Sequence, residues 1–170
     1  MKCPDKEAFL TKFGAVYEHS PWVAERAFEV AMKDRLDTMT LDADALAARF
    51  ESVFLEASTE RQLGVLRAHP ALACGRAEHN VLTVDSRKEQ AGAGLDQCTE
   101  QEFMLFREMN AIYFGKYDIP FIIAVKGLSR QDVLATFRER LNNSTDSEFQ
   151  TALRQVCRIA RFRIGEILGD

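Results

Sequence analysis

The seven residues "IPFIIAV", Ile119 to Val125, determine whether this chain reads as all-helical or mixed. They form its longest apolar run and its one stretch of β-like composition. Periodicity leaves three readings for so short a run: a strand, the start of a helix, or a buried extended segment. A strand needs a neighbour to satisfy its ladder, and no second run of this kind is present. Helix signals flank it on both sides. Upstream, Thr99 and Glu102 have capping-box spacing before "FMLFREMNAIYFGKY". Downstream, Ser129 can cap "RQDVLATFRERL".

The same signals recur outward from there. Asp5 precedes "KEAFLTKF". Ser20 and Pro21 read as N-cap and first helical residue of "PWVAERAFEVAM". Asp42 precedes "ADALAARFESVFLEA", where Leu46, Phe50, Val53 and Phe54 make an apolar stripe. Thr59 opens "ERQLGVLRA", and Thr145 with Glu148 has box spacing before "FQTALRQVCRIARFRIGEIL". The predicted class is therefore all-α: one compact multi-helix bundle of roughly seven to nine helices, a single domain over residues 1–170.

With 170 residues, 46% of them hydrophobic, the chain can bury a proper core. Its net charge of -4, with no basic stripe, argues against nucleic acid and for a small-molecule partner. No apolar run approaches bilayer length, so no membrane is expected. "MKCPDKEAFL" is too charged for a secretion signal, and "EILGD" is no peroxisomal tripeptide, so the expected location is cytoplasmic. Cys3, Cys74, Cys98 and Cys157 form no CxxC pair. Their spacing suggests no disulfide framework and fits a reducing compartment.

Three stretches could carry chemistry. In "LGVLRAHPAL", Leu63 to Leu72, Pro70 biases His69 away from helical geometry, at or just beyond a helix C-terminus. The dipole there favours a protonated imidazole, useful for proton transfer; alone, the feature reads as a helix stop with a capping histidine. In "TVDSRKEQAGAGL", Ser86, Glu89 and Gln90 fall on one face of a helix, offering a hydroxyl, a carboxylate and an amide; alone, this is an ordinary solvated face. In "DIPFIIAVKG", the apolar run could line a pocket and offer backbone groups; alone, it is core. His69, Cys74 and His79 are the nearest approach to a metal-ligand cluster, but their gaps match no complete ligand set, so no metal is expected. Cys74 as a nucleophile beside His69 or His79 has no supporting motif, and signatures of common hydrolases, NTPases and dinucleotide enzymes are missing.

Taken together and in order, "LRAHPALACG", "SRKEQAGAGL" and "MNAIYFGKYDIPFIIAVKG" resemble the 2-oxo-4-hydroxy-4-carboxy-5-ureidoimidazoline (OHCU) decarboxylases of urate degradation. The resemblance runs from "FGAVYEHSPWVAERA" to "RIARFRIGEIL". It implies an all-helical, cofactor-free carboxy-lyase that makes (S)-allantoin and CO2, often as a homodimer, with "EFMLFREMNAIYF" a candidate subunit face. It carries the catalytic histidine onto His69, with Glu89 as its partner or as a holder of a substrate N–H. Substrate contacts fall on Pro70, Ser86 and Gln90, with Arg87 and Lys88 taken along in the same motif. The ligand-gripping backbone falls on Phe121, Ile122, Ile123, Ala124 and Val125, and a substrate-facing arginine on Arg163, with Arg161 the neighbouring alternative. Two positions depart from the family pattern: Ala71 stands where an acidic residue often follows His-Pro, and Lys126 where an arginine commonly follows the "FII" segment. Competing readings are another cofactor-independent lyase or hydrolase acting on a related ureide or imidazoline, a non-catalytic helical binding module, and a metal enzyme using His69 and His79.

Overall fold

The computed structural model describes residues 5–33, 42–75 and 82–169. Among these residues are eight α-helices, one 3-10 turn and no strand, so the class is all-α as predicted. The helices are α1 (Lys6–Phe13), α2 (Trp22–Lys33), α3 (Ala43–Leu55), α4 (Thr59–Ala68), α5 (Val84–Gly92), α6 (Glu100–Tyr117), α7 (Arg130–Arg140) and α8 (Thr145–Leu168), with the 3-10 turn at Leu95–Gln97. "IPFIIAV" takes up neither helix nor strand. It links α6 to α7 as a buried irregular segment.

Most expected caps form. Asp5 Oδ1 accepts from the Glu7 and Ala8 N–H groups, and Asp42 Oδ1 accepts from Ala45 N at 2.7 Å. Thr99–Glu102 is a reciprocal box, as is Ser129–Asp132. Three helix starts differ from expectation. α2 begins at Trp22, which leaves Pro21 outside the helix and Ser20 without a capping bond to its hydroxyl among the described residues. At α4 the cap is Ser58, whose Oγ accepts from Arg61 N at 3.4 Å, so Thr59 is already helical. At α8 the box expected of Thr145 and Glu148 does not form. Ser144 Oγ accepts from Ser147 N at 3.2 Å, and Glu148 is fully buried. Box spacing is a local signal, and here a tertiary ion pair outcompetes it.

The chain divides into two compact units, Met1–Ala68 with Leu153–Asp170, and His69–Ala152. The first is an aromatic core. Phe9 and Phe13 of α1 meet Phe28 of α2 and Phe50 of α3, with Phe9–Phe13 centroids 4.9 Å apart and Phe9–Phe28 5.3 Å. Tyr17 closes on Phe54 at 5.1 Å. The turn after α1 needs a glycine: a Cβ on Gly14 would lie 2.5 Å from the Leu10 carbonyl oxygen. Gln62 of α4 donates to the Phe54 and Leu55 carbonyls, satisfying the C-terminal end of α3.

In the second unit, Tyr113, Phe121 and Phe137 form the centre. Phe121 stacks on Phe137 at 3.7 Å between centroids and meets Tyr113 edge-on at 5.2 Å. The end of α6 ties off α7. The Tyr117 hydroxyl donates to the Arg140 carbonyl at 2.9 Å, and Lys116 Nζ donates to the Leu141 carbonyl at 2.7 Å. Carbonyls that a helix C-terminus leaves without an intrahelical donor are met in this way. Asp118, at φ 55°, ends α6 in the left-handed conformation that Asp tolerates better than most residues.

Candidate active site

α4 ends at Ala68, so His69 and Pro70 lie just past a helix C-terminus, as the X-Pro restriction predicts. Both are half-buried. The non-helical residues that follow are fixed one after another within the second unit. The Leu72 carbonyl accepts from Asn110 Nδ2 of α6 at 2.9 Å. Ala73 N donates to Gln90 Oε1 of α5 at 2.9 Å, and Gly75 N donates to the Leu95 carbonyl at 2.9 Å. Cys74 forms a disulfide with Cys98, with Cα atoms 5.8 Å apart.

That disulfide corrects the expectation of unpaired cysteines. Spacing of 24 residues gives no sequence signal, because the approach is made by the fold: α5 and the 3-10 turn double back and bring Cys98 to Cys74. With Cys74 so bonded, the metal reading on His69, Cys74 and His79 loses its thiolate. His79 and Cys3 lie outside the described residues. Among the described residues, no group of three or more His, Cys, Asp or Glu side chains could hold a metal ion. No helix there is long and apolar enough to cross a membrane.

α5 is helical where the spacing required it. The Thr83 hydroxyl caps it by accepting from Ser86 N at 3.3 Å. Ser86 and Gln90 are buried, Glu89 is half-buried, and Arg87 and Lys88 are exposed. Arg87 turns back, Nη2 donating to the Leu82 carbonyl at 3.3 Å. Gln90 has a task the sequence did not reveal. Its Oε1 is engaged by Ala73 N, which fixes the amide orientation and directs Nε2 to any further partner. Gly94, at φ 74°, turns the chain after α5.

A cavity of about 500 Å³ lies against the His-Pro segment, lined by Pro70, Ala71, Leu72, Ala73, Leu82, Arg107 and Asn110. This is the size of a small-molecule site. Of the predicted residues it takes in Pro70; His69, Glu89 and the 121–125 segment do not line it. Phe121 to Val125 are all buried. The Ile122 carbonyl accepts from Arg140 Nη1 at 2.6 Å.

Arg140 is itself buried and paired with Glu148, its Nε donating to Glu148 Oε1 at 2.9 Å and Nη2 to the same oxygen. The Tyr113 hydroxyl donates to Oε1 as well, and Asn143 Nδ2 donates to Oε2 at 2.7 Å. Burial, then the bond to Glu148, push the Tyr113 phenol well above its usual range, so it stays a donor. The sequence marked Glu148 only as a capping residue and did not single out Arg140 or Asn110. The apparent box at Thr145 masked Glu148, while Arg140 and Asn110 carry no motif.

Arg163 belongs to the first unit. It is buried, Nη1 donating to the Val16 carbonyl and Nη2 to Glu18 Oε1, both at 3.3 Å. Arg161 is exposed and paired with Asp44 at 2.7 Å. Of the two arginines, Arg163 is the one embedded in the fold.

A family model described as OHCU decarboxylase matches residues 4–165, through both units. A 2-oxo-4-hydroxy-4-carboxy-5-ureidoimidazoline decarboxylase of Haloferax volcanii is 36% identical over 95% of this chain and 90% of that protein. One from Halalkalicoccus jeotgali is 37% identical over 96% and 86%. A bifunctional uric acid degradation protein of Bacillus subtilis is 32% identical over 98% of this chain, but only 31% of its own length. A crystal structure of (S)-allantoin synthase superposes with TM-score 0.74 at 26% identity, covering 96% of this chain and 50% of that one. An OHCU decarboxylase structure superposes at TM-score 0.68 and 18% identity, which speaks for the fold. The ordered helices, the anchored His-Pro segment and the matches through both units lead to one conclusion: this chain belongs to the OHCU decarboxylase family.

Proposed function

We propose that the protein decarboxylates OHCU to (S)-allantoin and CO2 without a cofactor. The observation that carries this reading is the family match over residues 4–165, a span that holds the His-Pro segment, α5, the 121–125 segment and Arg163. In this substrate the carbon losing CO2 bears a hydroxyl and adjoins a ring C=N. When the C–C bond breaks, its electron pair forms a double bond to the neighbouring ring carbon, and the imine nitrogen takes up a proton. The resulting enol then gains a proton on that neighbouring ring carbon and loses its hydroxyl proton, giving the ring amide carbonyl of allantoin. The electron sink is part of the substrate, so no cofactor is required to supply one.

In this reading His69 moves the proton of the substrate hydroxyl, and Glu89 pairs with it or holds a substrate N–H. Ser86 and the Gln90 amide N–H₂ meet ring and ureido groups, with Pro70 packed alongside. Arg87 and Lys88 supply positive charge near an anionic substrate. Backbone groups of Phe121 to Val125 hold the ligand, and Arg163 pairs with its carboxylate. The multiple anchors on Leu72, Ala73, Cys74 and Gly75 support this reading, because positioning a base in advance removes reorganisation from the reaction. A homodimer is a further part of the proposal, as is a cytoplasmic location, where a reducing environment would hold Cys74 and Cys98 largely as thiols rather than as the bonded pair of this structure. The exposed Met104, Ile112 and Phe114 of α6 support a subunit face there.

His69→Asn tests the core of this. It should fold like the parent and lose about 10²-fold or more of the rate over spontaneous decay. The measurement is circular dichroism of allantoin formed from freshly generated OHCU. (S)-allantoin formation at an undiminished rate would remove His69 from the mechanism.

A further inference from the structure

The 121–125 segment has no helix or sheet to orient its peptide groups, so its backbone direction depends on tertiary contacts. One such contact is a buried guanidinium. Arg140 Nη1 donates to the Ile122 carbonyl at 2.6 Å, while the guanidinium lies over the Phe121 ring at 4.5 Å from its centroid. Arg140 is held in turn by two bonds to Glu148, and Glu148 is itself fixed by the Tyr113 hydroxyl and Asn143 Nδ2. The side chains of this pair are 6% and 0% exposed. A charge pair buried so completely is a weak source of stability, since desolvation offsets most of the attraction.

The geometry has a direct consequence for the neighbouring amide. The peptide between Ile122 and Ile123 is trans, and resonance keeps a trans peptide close to planar with its C=O and N–H pointing in opposite directions. Fixing the Ile122 carbonyl on Arg140 therefore fixes the Ile123 N–H on the opposite side, away from the ion pair.

We propose that Arg140, anchored by Glu148, is a positioning residue that aims the Ile123 N–H at the substrate. The proposal rests on the reading that the 121–125 backbone holds the ligand. Arg140 touches no reacting atom; it acts through one peptide plane. A lysine at this place can reach the carbonyl or the carboxylate but lacks the planar fork that holds both. Glu148→Gln keeps the shape and the acceptor for Tyr113 while weakening the hold on the guanidinium.

The test is steady-state kinetics of Arg140→Lys and Glu148→Gln on freshly generated OHCU, with each variant's folded fraction measured by thermal melting. A backbone N–H that holds the ligand in ground and transition state alike contributes to KM. Arg140→Lys should raise KM about tenfold, the scale of one hydrogen bond, with kcat of the folded enzyme changed much less. Glu148→Gln should raise it in the same direction by a smaller factor. Simple structural damage would instead lower the apparent kcat through the unfolded fraction and leave KM where it was. An unchanged KM in either folded variant overturns the proposal. So does a cluster that tolerates neither change without unfolding, because it is then a stability element. If the parent enzyme makes no (S)-allantoin, the functional reading has failed first, and the two failures are told apart by that control.

Discussion

Cys157 lies on α8, 7% exposed, with the Tyr17 hydroxyl donating to its sulfur at 3.7 Å. Burial pushes this thiol up to about 11. Reactivity follows the thiolate, so Cys157 is inert near neutral pH despite being a free cysteine. At pH 8 it should alkylate with iodoacetamide about two orders of magnitude more slowly than an ordinary thiol of pKa near 8.5. The linkage runs the same way. A pKa raised in the folded state contributes stability below the unfolded thiol's value, and that contribution is lost as pH rises towards 11. Peptide mass spectrometry of native protein after timed alkylation checks the rate. Rapid labelling of Cys157 under native conditions would mean that α8 opens there. Gln90 marks a limit of reading single residues. Its position on α5 could be read from spacing, but its bond to Ala73 N could not. A side-chain amide serves a substrate or a backbone equally well, and only the fold says which one is near.

Helix starts show how far local reading reaches. The box at Thr99 is local in every respect: Thr99 N donates to Glu102 Oε2 at 2.8 Å, and Glu102 N donates back to Thr99 Oγ1 at 3.2 Å. The backbone bond from Thr99 is the main reason the Glu102 carboxyl sits below its usual range. A depressed carboxylate pKa stabilises the fold above the unfolded value of about 4.3, and this is lost as pH falls through the folded value. Glu102→Gln should therefore cost at most about 1 kcal/mol near neutrality, a typical cap contribution on a solvated surface. The difference from the parent should shrink as pH drops below about 4. Urea unfolding between pH 3.5 and 6.5 measures it, and a difference that stays constant with pH would show that the carboxylate charge is irrelevant to the cap. Thr145 and Glu148 have the same spacing and no box. Arg140 lies eight residues away and on another helix, and it takes Glu148 into the core with Tyr113 and Asn143. Helix type and extent were thus legible in the sequence wherever the deciding partner was within a turn. They became illegible where that partner arrives through tertiary packing. "IPFIIAV" belongs to the second kind: its lack of a strand partner was readable, but the guanidinium that orients it was not.

For the protein taken as one folding chain, the Cys74–Cys98 bond acts on the unfolded state as much as on the folded one. It closes a loop of 24 residues in sequence that contains α5, the carrier of Ser86, Glu89 and Gln90. Closing a loop of this length restricts the unfolded ensemble by about 3 kcal/mol of entropy, with measured cases spread around 2–4 kcal/mol. The folded segment already has three other anchors, on Leu72, Ala73 and Gly75. Its conformation should therefore survive reduction, and the loss should appear in global stability. Reduction, or Cys98→Ser, should lower the melting temperature by about 5–15 °C for a protein of this size. The (S)-allantoin rate at 25 °C should change far less than it does in His69→Asn. Calorimetry with and without reductant, beside a thiol count under denaturing conditions, tests both halves. An oxidised sample with four titratable thiols removes the bond from the account. A large rate loss at unchanged melting temperature would instead show that the disulfide positions the His-Pro segment and that the three hydrogen bonds are not sufficient.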